Sequence, residues 1–127
     1  MTEHFLLDTN ILVEYLRGRY KAAQYLENLK GYLFISSISV AELFVGLKTE
    51  EEQSRLEQFL ISFQVIPVDE KIAKVGGLIR RDYAPRYGTS LADSLIAATA
   101  QIYNATLVTF NIRHFPMLTQ IHLPYHR

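Results

Sequence analysis

Residues 4–16 read HFLLDTNILVEYL: an apolar run, then Asp8, Thr9 and Asn10, then a second apolar segment. The first run is short and continuous, which predicts a buried strand. From Ile11 to Leu16 the apolar positions recur at helical spacing, and Gly18 marks a stop. A strand that merely turns into a helix needs no acid at the junction. A strand that delivers a carboxylate to a cleft does.

The rest of the chain repeats this alternation. YKAAQYLENLK (20–30) predicts a helix ended by Gly31, and YLFIS (32–36) a second strand. SVAELFVGL (39–47) reads as a helix with Ser39 as its N-cap. Residues 50–63 carry Leu56, Phe59, Leu60 and Phe63 among charges, the pattern of an amphipathic surface helix. QVIPV (64–68) is a short third strand, at an edge because of Pro67. A helix follows over 69–83, and Pro85 argues against its continuing further. SLADSLIAATAQIY (90–103) is apolar or small on nearly every side and predicts a central helix. ATLVTF (105–110) is a fourth strand, and QIHL (120–123) holds a short last one. Strands alternating with helices predict an α/β sandwich around a mainly parallel sheet.

Composition narrows the chemistry. The 127 residues suit a single domain spanning 1–127, and the 49% apolar content suffices for a core. Thirteen basic residues balance thirteen acidic ones, so an anionic partner must be met by a local patch. The absence of cysteine excludes disulfides, thiolate metal sites and thiol catalysis, and suits a cytoplasmic protein. No basic segment followed by a long apolar run opens the chain, so no signal peptide is expected. The longest apolar stretch, SLIAATAQIYNATLVTF (94–110), is broken by Gln101 and Asn104, too interrupted to span a bilayer.

Ligands of open parallel sheets bind beyond the carboxyl ends of the strands. Asp8, Glu42 and Asp93 fall at such places. SVAE and SLAD also fit a capping box, in which the acid serves only the helix start. All three acids, however, have apolar or small flanks (LLDT, VAEL, LADS), where an ionised carboxylate is costly without a cation. Three converging carboxylates point to a divalent ion. Oxygen-only ligands favour magnesium or manganese, which activates water and stabilises displacement at phosphorus. Hydrolysis of a phosphodiester is the matching chemistry.

The blocks LLDTNILVEYL (6–16), ISSISVAELFVGL (35–47) and GTSLADSLIAATAQIYNATLVTFNIRHF (88–115) together resemble PIN-domain proteins, most closely the VapC-type toxin ribonucleases. The resemblance covers nearly the whole chain. It implies a three-layer α/β/α sandwich and RNA cleavage with magnesium or manganese. It also implies a cognate antitoxin as partner and a homodimer. Carried over by position, the family's three acids become Asp8, Glu42 and Asp93. Thr9 and Asn10 would support the first acid, and Thr109 matches a hydroxyl after the fourth strand. The antitoxin would set an arginine or lysine near the acids and cover the groove beside Tyr15, Leu16 and the second helix. Where many members carry further acids, this chain has Asn111 and His114, which implies one tightly held cation.

RRDYAPRYG (80–88) places Arg80, Arg81 and Arg86 among tyrosines, a candidate RNA rim, and Arg113 follows the fourth strand into the cleft region. Arg17, Arg19 and Lys21 form a second basic patch. His4, His122 and His126 show no metal-ligand spacing and read as surface residues. Gly76 and Gly77, inside a helical pattern, suggest close packing or a kink. Two other functions compete: a PIN module that binds RNA or a partner without cutting, and a phosphatase with Asp8 as nucleophile. The phosphatase commonly requires a second aspartate where Asn10 stands.

Overall fold

The computed structural model describes residues 3–127. In chain order the elements are β1 (His4–Leu7), α1 (Thr9–Leu16), α2 (Tyr20–Asn28), β2 (Tyr32–Ser36), α3 (Ser37–Val45) and α4 (Glu50–Leu60). They continue as β3 (Gln64–Ile66), α5 (Glu70–Tyr87), α6 (Leu91–Ile102), β4 (Thr106–Val108), a 3-10 turn (Ile112–His114) and β5 (Ile121–His122). The strands form one sheet in the order β3-β2-β1-β4-β5. Every pairing is parallel, with Phe5 beside both Leu33 and Thr106. β3, with Pro67 just beyond it, is an edge strand as its sequence predicts.

Alternation along the strands divides the core in two. Leu6, Phe34, Ile66 and Leu107 face one way and pack with Ile72 and Ile79 of α5 and with Ile96 and Ala97 of α6. Phe5, Leu7, Ile35 and Val108 face the other way, onto Ile11, Leu12, Leu26, Leu43 and Leu56 from α1 to α4. Helices thus cover both faces of the sheet, giving a three-layer α/β/α sandwich. A sheet buried on both faces explains why β1 is a continuous apolar run.

Topology positions the site. The chain moves outward from β1 through β2 to β3, then returns to lay β4 and β5 on the other side of β1. The order reverses between β1 and β4, and in such sheets ligands bind beyond the carboxyl ends of the strands at that point.

Three local expectations are corrected. Helix α3 starts at Ser37, because Ser36 at the strand end has extended backbone and its hydroxyl caps Ile38 N at 3.0 Å. Ser39 therefore lies inside the helix, and Glu42 falls in its second turn, outside any capping box. Helix α5 runs through Pro85 to Tyr87. Pro85 is exposed and near the helix end, where water can meet the carbonyl its missing N–H leaves free. Gly88, at φ 68°, then ends the helix in the left-handed conformation. His4 is half-buried, its ring 5.4 Å from those of both Tyr32 and Phe34. Gly76 is a close-packing position: a Cβ there would lie 2.6 Å from Leu95 Cδ2 and 3.2 Å from Leu95 Cα. Gly77 faces open space.

Candidate active site

Asp8 follows β1 directly and caps α1. Its Oδ1 accepts from Thr9 N at 2.8 Å and its Oδ2 from the Thr109 hydroxyl at 2.7 Å. Only 5% of the residue is exposed. Burial pushes its pKa up to about 6, against the pull of these two hydrogen bonds, and the charges of Asp93 and Glu42 push the same way.

Thr109 is the hub beneath this carboxylate. Its fully buried hydroxyl gives its one proton to Asp8 and accepts from Asn10 Nδ2 at 3.2 Å and Asn111 N at 3.0 Å. Asn10 Oδ1 in turn accepts from Phe110 N at 3.4 Å. Asn10 thus supports Asp8 through Thr109, and Thr9 supports it through its backbone.

The Thr9 side chain serves a different acid. Its hydroxyl lies 2.6 Å from Glu42 Oε1 and 2.9 Å from the buried Ser39 hydroxyl. An ionised Glu42 cannot donate, so Thr9 donates to Glu42 and accepts from Ser39. This bond ties α1 to α3 and brings the second acid to the first. Glu42 is exposed, so its apolar sequence neighbours do not bury it.

Asp93 sits in the first turn of α6, where its N–H donates to the Ser90 cap at 3.0 Å. Half-burial raises its pKa; His114 and Ser90 lower it, and Glu42 adds to the rise. His114 Nδ1 lies 3.5 Å from Asp93 Oδ2. The imidazole is held there by its backbone: the buried Thr89 hydroxyl donates to His114 O at 3.0 Å, and Phe115 is anchored in the core. In the sequence His114 stands only as a departure, Ser39 as a candidate cap, and Thr89 carries no signal apart from its type.

Asp93 and Glu42 thus both act on Asp8, and Glu42 acts on Asp93. Among the described residues, no three histidine, cysteine, aspartate or glutamate side chains form a ready-made direct cage for an ion. The basic candidates scatter. Arg80 and Arg113 are exposed, Arg81 is paired with Asp82 at 2.8 Å, and Arg86 lies over the Tyr87 ring at 5.5 Å. Asn111 is exposed and enters the network through its backbone. His122 is exposed but bound, its Nδ1 lying 2.7 Å from the Tyr25 hydroxyl. Beside Glu42, Val13, Leu16, Leu43, Leu47 and Leu56 line an apolar groove of about 310 Å³. Among the described residues, no helix is long and apolar enough to cross a membrane.

These features define a class: α/β/α sandwiches with an acid-lined cleft where the order of a parallel sheet reverses. Within that class the match is specific. Residues 5–117 match the PIN domain, and the chain belongs to the PIN-domain family. It is 38% identical over 123 residues to Ribonuclease VapC10 of Mycobacterium tuberculosis, covering 94% of this chain and 92% of that protein. It is 39% identical over 124 residues to Ribonuclease VapC19 of the same organism, covering 94% and 98%. A toxin–antitoxin complex from Klebsiella pneumoniae contains a chain with 33% identity and a TM-score of 0.84, covering 96% of this chain and 98% of that one.

Proposed function

We propose that this chain is a cytoplasmic toxin of a toxin–antitoxin pair, an endoribonuclease that hydrolyses RNA phosphodiester bonds with magnesium or manganese. One observation carries the metal dependence. Asp8 is buried with two donors and no cationic side chain, and two further acids raise its pKa. Above pH 6 such a carboxylate carries a buried charge with no cationic partner, and a bound cation would offset that cost.

The donor set fits a hard ion. Asp8, Glu42 and Asp93 offer oxygens alone, and magnesium keeps several waters of its own, so a loose set of carboxylates suits it. When bound, the ion activates water and offsets charge developing at phosphorus. The chain's own residues prepare the site. Thr109 and the Thr9 N–H fix the Asp8 carboxylate, the Thr9 hydroxyl fixes Glu42, and the Ser90 cap orients the turn that carries Asp93. Arg113 and Arg80 are exposed cations available to the RNA backbone.

The apolar groove beside Glu42 takes in Leu16 but no residue of α2. It supports an antitoxin segment docking on α1, α3 and α4 rather than beside the second helix, with a basic side chain reaching the acids. A homodimer is the assembly expected from the family. Cleavage of a labelled RNA with magnesium, and its loss with EDTA, tests the activity. The contact between His114 and Asp93 favours one rival, an RNA-binding module that does not cut, since the ring nitrogen lies 3.5 Å from an oxygen a metal ion would use. RNA binding without metal-dependent cleavage would establish that rival.

A further inference from the structure

One flank of the acid cleft carries cations that rest on aromatic rings. The Arg127 guanidinium lies 4.3 Å over the Phe110 ring. Phe110 meets Tyr125 edge to face at 5.1 Å, and the Lys21 ammonium lies 6.0 Å from the Tyr125 ring. Arg19 stands at the start of α2, its Nε 3.8 Å from Glu14. Glu14 is buried, whereas Lys21 and Arg127 are exposed.

The ladder begins at the candidate site itself. Phe110 follows Thr109 in the chain, and its N–H donates to Asn10, which donates to the hydroxyl that holds Asp8. Beyond it, Lys21, Gln24, Tyr25, Asn28, Pro124 and Tyr125 line an open groove of about 580 Å³ between α2 and the C-terminal segment. A cation seated on a ring keeps its full charge, and its N–H groups stay free for phosphate. Lys74, on α5, is instead paired with Glu70 at 2.8 Å.

Cations spaced along a groove, with aromatic side chains between them, match the needs of an unpaired nucleic-acid strand. Phosphates follow the cations and unstacked bases meet the rings. We infer that this flank carries single-stranded RNA away from the acid cleft. Lys21 and Arg127 contact backbone phosphates, and the groove at Tyr25 and Tyr125 receives a base. The inference rests on RNA being the substrate and adds the path the strand takes.

The test uses the whole protein and a 5′-fluorescein uridine dodecamer. Anisotropy in EDTA, at several salt concentrations, compares the unchanged chain with Lys21→Ala/Arg127→Ala and with Lys74→Ala. Both changes to the flank are on exposed side chains, so the fold is retained. The double variant should bind about tenfold more weakly, and its salt slope should fall by about 1.4, roughly 0.7 for each lost contact. Lys74→Ala should change neither. Arg127→Lys keeps the charge and should keep the slope, with a weaker Kd from lost stacking. Cleavage of a uridine trimer with magnesium should be the same in all. If the unchanged chain binds the dodecamer and the double variant binds it equally well, the path is wrong and the ribonuclease reading survives. A flank that docks a protein gives that same result. If no variant binds or cuts RNA, the ribonuclease reading falls and takes this inference with it.

Discussion

The Thr109 hydroxyl donates to Asp8 Oδ2 at 2.7 Å, joining the ends of two neighbouring parallel strands that lie 101 residues apart in the chain. This bond sets the orientation of the most buried acid in the cleft, and Asn10 and the Asn111 N–H complete its surroundings.

Thr109→Val removes that hydroxyl at nearly constant volume. It leaves Asp8 Oδ2, Asn10 Nδ2 and Asn111 N to find other partners, at about 1–3 kcal/mol for each that finds none. The expected loss is about 2–4 kcal/mol in urea denaturation. Thr109→Ser keeps the network and loses one methyl, costing about 1 kcal/mol. Equal losses in the two variants would show that the hydroxyl contributes nothing.

Asp8 makes the metal-free protein sensitive to pH in an unusual direction. Its folded pKa, about 6, lies above the ordinary 3.8. Its protonated form therefore adds stability that is fully present below 3.8 and is lost as pH rises through 6. The total is about 3 kcal/mol. Metal-free protein should be more stable at pH 5 than at pH 7.5 by about half of this contribution, roughly 1.4 kcal/mol, and melt correspondingly higher; Asp8→Asn should flatten the difference. Magnesium should restore stability at pH 7.5 in the unchanged chain and not in the variant. A melting temperature that climbs steadily to pH 7.5 without metal contradicts the burial of this charge.

Asp93→Asn keeps size and the backbone bond to Ser90, so the start of α6 survives. The charge that would hold a cation is lost. Cleavage should fall at least about a hundredfold at limiting metal, a usual consequence of losing an electrostatic contributor, with the melting temperature unchanged or raised. Full activity in a folded variant would assign Asp93 to structure alone.

Asn111→Asp adds a carboxylate beside Thr109 at nearly constant volume. Its N–H already belongs to the network, but its side chain is exposed. Manganese should bind about fivefold more tightly, on the order of 1 kcal/mol, and metal-free stability should fall slightly. Isothermal titration of both proteins reads this directly; equal affinity means that the side chain points away from the cleft.

Gly76 and Gly77 should respond in opposite directions to alanine. At Gly76 a methyl would press on Leu95, two residues after Asp93, and part of the clash is with backbone. A loss of about 1–3 kcal/mol is expected, with weaker metal binding as α6 shifts. Gly77→Ala meets open space in a helix interior and should add about 0.5–1 kcal/mol. Circular dichroism melts of the pair suffice.

Much of the molecule is legible in the chain because its signals are local. Apolar runs, helical spacing and glycine stops identify the strands and helices, and Asp8 stands out as an acid closing a buried run. The misread boundaries have local causes as well. Ser36 and Ser39 both offer a cap, and only the strand's exit geometry selects Ser36. Pro85 ends a helix only where its lost hydrogen bond cannot be replaced, and at an exposed last turn it can.

The cleft itself depends on contacts that no local pattern records. Parallel pairing of β1 with β4 is what sets Thr109 under Asp8. Packing of α1 against α3 gives the Thr9 hydroxyl to Glu42 and leaves that acid exposed, whereas the same kind of apolar flank buries Asp8. The Thr89 bond to the His114 carbonyl turns that imidazole toward Asp93. The sequence by itself determined which acids exist and on which elements they ride. Only the tertiary structure decided their burial, their partners and hence their charge, because solvation and coupling between carboxylates depend on distances in space.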